Sequence, residues 1–134
     1  MKPEQQQIAI AEACGWTEIH ERHVAHLDHK NWCGACRGKE GPRWLDGYSV
    51  LPDYLSDLNA MHEAEKVLTE EQHRRFSWHL VQVTDDNYRT WSAFEYETLS
   101  VWEMSLGDVQ ACLRATAAQR AEAFLRTLNL WTSS

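Results

Sequence analysis

Apolar residues recur every three or four positions along four stretches of the chain, which is the spacing that gathers them on one face of a helix. The most regular stretch runs from Leu51 to Leu68 and is interrupted only at Glu65. Pro52 suits the first turn of a helix, and Asp53 can accept hydrogen bonds from the free amides there. We predict a central helix over 51–68.

Three further helices are predicted. Pro3 to Cys14 has Ile8, Ala11 and Cys14 on one face and is followed by Gly15, which can take the left-handed conformation that ends a helix. Thr69–Gln72 and Thr116–Gln119 both have the capping-box spacing that opens a helix. The inward faces of these two helices are predicted to hold Phe76, Leu80 and Val83 in the first, and Ala117, Ala121, Phe124, Leu128 and Trp131 in the second. The short connection at Thr69 favours an antiparallel pairing of the central helix with the one that follows.

Strand patterns are shorter and less regular. Asp46-Gly47 is a strong hairpin turn within 43–50. In 85–108 an alternation of apolar and acidic residues favours strands, although the aromatic spacing there also fits a helix. Val109, Ala111 and Leu113 alternate as a short strand. We therefore predict one α+β domain over 1–134, a small, mostly antiparallel sheet packed by N-terminal, central and C-terminal helices.

A histidine-rich run precedes two cysteines. His20, His23, His26 and His29 lie at intervals of three, and Cys33 and Cys36 follow. If the run is helical, two imidazoles one turn apart can converge on one ion, and two thiolates with two imidazoles suit tetrahedral zinc. The predicted zinc ligands are Cys33, Cys36, His26 and His29. The alternative is a polar loop whose histidines are solvated or hydrogen-bonded.

Two short sequences resemble parts of catalytic motifs, but the residues around them do not complete either motif. The sequence WCGAC at 32–36 resembles a thioredoxin turn, but no apolar strand precedes it, and Gly38, Gly41 and Pro42 oppose a following helix. His62-Glu63 begins a zinc-peptidase pattern, but Lys66 stands where the second histidine belongs. No Gly-rich phosphate loop is present. A small enzyme or nucleotide-binding protein is kept as an alternative.

The charge is negative and unevenly distributed. The net charge of −7 argues against nonspecific nucleic-acid binding, which needs clustered cations, and the arginines of the last helix form no single basic stripe. Residues 76–113 hold six acidic side chains and one basic one, interleaved with aromatic side chains. We predict that this region contains a partner-binding surface made of Tyr88, Trp91, Glu95, Glu97, Trp102 and Glu103. The alternative is a half-buried sheet with a solvated acidic face.

Three blocks carry a resemblance to a known family: QQQIAIAEACGW at 5–16, DYLSDLNAMHEAEKVLTEEQ at 53–72 and ATAAQRAEAFLRTLNLW at 115–131. Together they resemble the uncharacterised phage and prophage proteins grouped as the phage ABA-sandwich domain family. The resemblance implies a small cytoplasmic α+β domain of ABA-sandwich type, encoded on a mobile element. It leaves 17–50 as a variable His/Cys-rich insertion and implies no catalytic residues.

These patterns together predict a non-enzymatic phage or prophage accessory protein. We expect it to bind a host or phage protein, with inhibition of a host defence component as one role; a zinc-stabilised interaction module is a further alternative. The N-terminus lacks a secretory pattern, and no apolar run approaches the ~20 residues that cross a bilayer. We therefore expect a protein of the bacterial host's cytoplasm that does not enter membranes, with its four cysteines present as thiols or metal ligands.

Overall fold

The protein is described from a computed structural model of the chain, which defines residues 1–23, 30–35, 47–84, 110 and 112–133. The described helices are α1 (Pro3–Ala13), α2 (Leu58–Glu65), α3 (Glu70–Thr84) and α4 (Ala117–Thr127). The described strands are β1 (Thr17–His23), β2 (Lys30–Ala35) and β3 (Ser49–Val50). The predicted α+β class is confirmed, with N-terminal, central and C-terminal helices packed against a small antiparallel sheet.

The sheet has the order β1-β2-β3, with antiparallel neighbours, and all three strands come from 17–50. One face packs on the helices through Ile19 and Trp32. Gly34 lies on that face, where an added Cβ would come within 3.1 Å of the Thr17 carbonyl oxygen. Because successive residues of a strand face opposite sides, Cys33 lies on the other face. The region expected to be an insertion therefore supplies the described sheet.

Helix α4 is the element on which the other helices pack. It contacts α1, α2 and α3, and its residues Ala121, Ala123, Phe124 and Leu125 are fully buried. The two alanines let neighbouring backbones approach closely, and Phe124 is one of the largest side chains of the shared core. The rest of the core comes from the other elements, including Ile10, Leu51, Tyr54, Met61, Phe76 and Leu80. Helices α2 and α3 therefore make their main helix contacts with α4. The sequence had predicted that they would pair with each other.

The predicted helix ends that depend on local sequence are confirmed. The Thr69 amide donates to Gln72 Oε1 at 2.8 Å, and the Gln72 amide donates to Thr69 Oγ1 at 3.2 Å. Thr116 and Gln119 repeat this capping box at the start of α4. Gly15 follows α1 with a φ of 91°, the left-handed conformation expected of it. The two capping boxes satisfy amides at the helix N-termini that the helix itself leaves without partners.

The predicted start of the central helix is wrong. Helix α2 begins at Leu58 rather than near Leu51, and Asp57 caps it by accepting a hydrogen bond from the Asn59 amide at 2.9 Å. The Leu51 amide instead donates to the Trp32 carbonyl at 2.9 Å, which holds residue 51 against the sheet. Leu58, expected in the buried stripe, is 42% exposed. Contact with a distant strand has therefore overridden the local helical spacing.

Replacement of Asp57 by alanine is expected to cost about 1 kcal/mol of unfolding free energy, because the helix loses its N-cap. Replacement of Asp53 by alanine, which the sequence favoured as the cap, should change it by less than about 0.5 kcal/mol, because Asp53 is exposed. Urea unfolding followed by circular dichroism measures both. If the Asp53 variant lost more unfolding free energy than the Asp57 variant, the helix would begin near Pro52 rather than at Leu58.

Two other predictions are corrected in the described residues. The convergence of two imidazoles was predicted on the condition that the histidine run is helical, but Thr17–His23, which contains His20 and His23, is a strand with an irregular register between Thr17 and His20. The expected strand at 109–113 is also wrong where it is described, since Gln110, Cys112 and Leu113 are helical and Leu113 is 78% exposed. The predicted strands of 85–108 and the turn residue Asp46 lie outside the described residues. No helix of the described part of the chain is long and apolar enough to cross a bilayer.

Candidate functional site

The predicted partner surface lies outside the described residues. Tyr88, Trp91, Glu95, Glu97, Trp102 and Glu103 all fall between the end of α3 at Thr84 and the next described residue, Gln110. Within α3, the Thr84 hydroxyl donates to the Leu80 carbonyl at 2.8 Å. Helix α3, which precedes this segment, packs on α4.

Of the four predicted zinc ligands, only Cys33 is described. It is fully buried on β2, and its Sγ lies 3.7 Å from the Asn31 carbonyl oxygen. His26, His29 and Cys36 lie outside the described residues, so the zinc site stays a prediction. Cys14, Cys33 and Cys112 form no disulfide. Within the described ranges no three metal-ligating side chains converge.

The strand geometry changes which histidine lies near Cys33. His20 is the Cα partner of Cys33 across β1 and β2, so the two side chains share a face. His20 Nδ1 lies 2.7 Å from the Glu18 carbonyl oxygen, to which a protonated Nδ1 donates, and the His20 ring meets the Tyr48 ring edge-on at 4.9 Å. Arg22 lies over the same Tyr48 ring at 5.3 Å. The described face therefore combines a histidine, an aromatic ring and a cation beside a buried thiol.

A part-buried ion pair joins α2 to α4. Arg120 Nη1 donates to Glu65 Oε1 at 3.1 Å, and both side chains are about 15% exposed (16% for Arg120 and 14% for Glu65). The Arg120 guanidinium also lies 5.9 Å from the centre of the Phe76 ring. Burial raises the pKa of Glu65 above its usual value, and the charges of Arg120, His62 and His73 oppose that rise. This pair is a structural contact between the two helices.

A second titratable group lies on α3. Burial, together with the nearby positive charges of Arg126 and Arg75, lowers the pKa of His79 to about 4, and burial is the largest of these causes. Both arginines are also paired within their own helices, Arg75 with Glu71 at 3.2 Å and Arg126 with Glu122 at 2.9 Å. His79 is therefore neutral near pH 7. Because the unfolded chain binds the proton more readily, its contribution to stability is present above pH 6.5 and is lost as the pH falls towards 4.

An open groove of about 320 Å³ lies where α1, the sheet and the chain after β3 meet. Its lining consists of Glu4, Gln7, Asn31, Trp32, Val50, Leu51 and Asp53. The Gln7 side-chain amide donates to the Pro52 carbonyl at 3.0 Å and ties α1 to the segment after β3. Among the described residues, two carboxylates and two side-chain amides line the groove, and no cation does.

Sequence reasoning identified neither the groove nor the ion pair. The groove is built from residues far apart along the chain, so no local pattern marks it. The ion pair did leave a signal, because Glu65 interrupts an otherwise apolar stripe. A buried carboxylate requires a cation from another element, and Arg120 is the one that meets it.

Comparison of the chain with known protein families, curated proteins and solved structures finds no match. The resemblance to the phage ABA-sandwich family therefore stays a prediction that rests on the three sequence blocks.

Proposed function

We propose that this chain is a phage or prophage accessory protein that acts by binding a host or phage protein, with a host defence component as the target class. The observation that carries the proposal is the composition of 76–113, where six acidic side chains and one basic side chain are interleaved with aromatic residues. The phage origin rests on the family resemblance of the blocks at 5–16, 53–72 and 115–131. We refer to the partner-binding residues, Tyr88, Trp91, Glu95, Glu97, Trp102 and Glu103, as the acidic aromatic segment.

The composition of the segment suits recognition of a protein. Aromatic side chains supply large contact area at low conformational cost and dominate the energetically important positions of interfaces. Carboxylates of one sign speed the encounter with a basic partner and disfavour acidic ones. Acidity also disfavours a nucleic-acid backbone as the partner. The combination favours a protein partner with a basic surface.

The described frame supports this use of the segment. All four described helices contribute residues to one shared core, and α3 and α4, which precede and follow the segment, pack against each other. A binding surface attached to rigid elements keeps its geometry better than one attached to a mobile frame. The described residues therefore serve as the scaffold in this proposal.

Charge reversal of Glu95, Glu97 and Glu103 to lysine is expected to abolish capture of the partner. The immobilised protein is incubated with lysate of the bacterial host, and captured proteins are identified by mass spectrometry and compared between wild type and variant. One protein enriched by wild type and reduced at least about tenfold by the variant is the expected result, since several close charge pairs are lost together. Raising the salt concentration should weaken its capture by wild type.

The matched control reverses three exposed acids outside the segment, Glu12, Glu18 and Glu70. It changes the net charge by the same amount, so a general charge effect would reduce capture equally in both variants. Thermal unfolding of each protein verifies that the fold is kept. Capture that survives reversal of the segment, or that fails equally in the control, contradicts the proposal.

A further inference from the structure

The groove beside α1 holds two carboxylates that nothing in the described structure neutralises. Glu4, in the first turn of α1, and Asp53, after β3, are both exposed, and neither side chain forms an ion pair or hydrogen bond with a described residue. In contrast, Glu65 and Glu122 are paired with arginines. Two unpaired carboxylates that line one concave surface contribute a local negative potential that attracts a cation.

The groove also offers an apolar surface. The half-buried Trp32 lines it together with the exposed Val50 and the buried Leu51. Indole is the best of the aromatic faces for a cation, and aliphatic side chains pack along the carbon stem of a long cationic residue. The fixed Gln7 to Pro52 contact shapes the groove before any ligand arrives. A ligand that fits carries a positive head on an apolar stem.

We propose that this groove binds an arginine side chain presented by a partner protein. Arginine satisfies both features, because its planar guanidinium stacks on an aromatic face while its five N–H groups reach several acceptors at once. Glu4 and Asp53, which line the groove with Trp32, supply such acceptors. Lysine has a compact, strongly hydrated charge and forms the stacked contact less well. The inference goes beyond the proposed function, because it uses no residue of the acidic aromatic segment.

The test uses the whole protein and the tripeptide acetyl-Gly-Arg-Gly-amide, with binding followed by amide and indole chemical shifts in two-dimensional NMR. We expect saturable shifts with a dissociation constant on the order of 1 mM, appropriate to a single anchoring side chain. The shifts should centre on Gln7, Trp32 and Val50. The double variant E4Q/D53N should weaken binding about tenfold, because it removes both charges and leaves the groove's shape.

Two controls separate a specific site from general acidity. The matched variant E12Q/E70Q neutralises two exposed acids away from the groove and should bind the tripeptide like wild type. The citrulline tripeptide, of equal shape but uncharged, should bind at least about tenfold more weakly, because only a charged head gains from the carboxylates.

Four results would overturn the inference. They are absence of saturable shifts in the groove, equal binding of the citrulline peptide, equal weakening by E12Q/E70Q, and binding of methylguanidinium as tight as that of the tripeptide. The last would show that the groove takes a small cation rather than a protein side chain. None depends on capture through the acidic aromatic segment, so the two proposals fail independently.

Discussion

Replacement of Phe124 by alanine is expected to lower the free energy of unfolding by about 3–5 kcal/mol, which is a large fraction of the stability of an ordinary domain. Phe124 is fully buried on α4, the helix that α1, α2 and α3 all contact. Truncation removes apolar surface and leaves a cavity that several helices would have to move together to fill. Urea unfolding at 25 °C, followed by circular dichroism, measures the loss.

A graded pair of variants keeps this test usable if the alanine variant fails to fold. Phe124→Leu should cost only about 1–2 kcal/mol, because most of the side-chain volume is kept. Leu113→Ala, which truncates a large apolar side chain that is 78% exposed, should change stability by less than about 0.5 kcal/mol. A loss below about 1 kcal/mol for Phe124→Ala would contradict the central position of α4.

The features that the sequence predicted correctly are those set by neighbouring residues. Both capping boxes form because Thr69 and Gln72, like Thr116 and Gln119, are three residues apart and need no distant partner. Gly15 ends α1 because its backbone can turn left-handed. The inward face of α4 was predicted for a similar reason, since its apolar spacing continues over the whole helix.

The features that sequence patterns missed depend on residues far apart in the chain. Strand β1 has the sequence TEIHERH, whose single aliphatic residue gives no alternation, and the strand is fixed by pairing with β2. Leu51 fits a helical stripe, yet its amide bonds the Trp32 carbonyl on β2. The spacing of apolar residues within a segment indicates only whether helix or strand is favoured locally. A contact with a distant segment then determines which of the two forms.

The candidate sites divide in the same way. The acidic aromatic segment was predicted from composition alone, and its residues lie outside the described ones. The groove became visible only when Glu4, Trp32 and Asp53 were brought together by the fold. A surface rich in one charge can be predicted from composition. A concave site with a defined set of lining residues can be identified only from the tertiary structure.

The second large effect is expected at the ion pair of Glu65 and Arg120. Arg120→Met should cost about 2–4 kcal/mol near neutral pH, because it leaves a carboxylate in a part-buried position without its cation. Glu65→Met should cost less, about 1–3 kcal/mol, since the long arginine stem can carry its charge to solvent. The double variant should lie within about 1 kcal/mol of wild type, because no unpaired charge remains.

The pH dependence distinguishes the two single variants. The folded-state pKa of Glu65 is raised above 4.5, so its stabilising contribution is complete below pH 4.5 and is lost as the pH rises through the folded value. Removing Arg120 takes away a charge that opposes this rise, so the pKa rises further and the cost of Arg120→Met grows from pH 5 to pH 7.5. The cost of Glu65→Met should shrink over the same range. Ionisation of the part-buried Glu65 lowers the unfolding free energy of wild type, whereas the variant has no carboxyl group there to ionise.

Urea unfolding of the wild type and the three variants at both pH values measures these opposite trends. His79 also contributes to the pH dependence in this range, because the unfolded chain binds its proton near pH 6.5 whereas the folded chain binds it only near pH 4. It lies on α3 in every variant, so its contribution cancels in the differences from wild type. Parallel trends in the two single variants would show that Glu65 and Arg120 do not interact in solution. A double variant less stable than both single variants would show that their contact contributes packing rather than charge pairing, because the losses would then add.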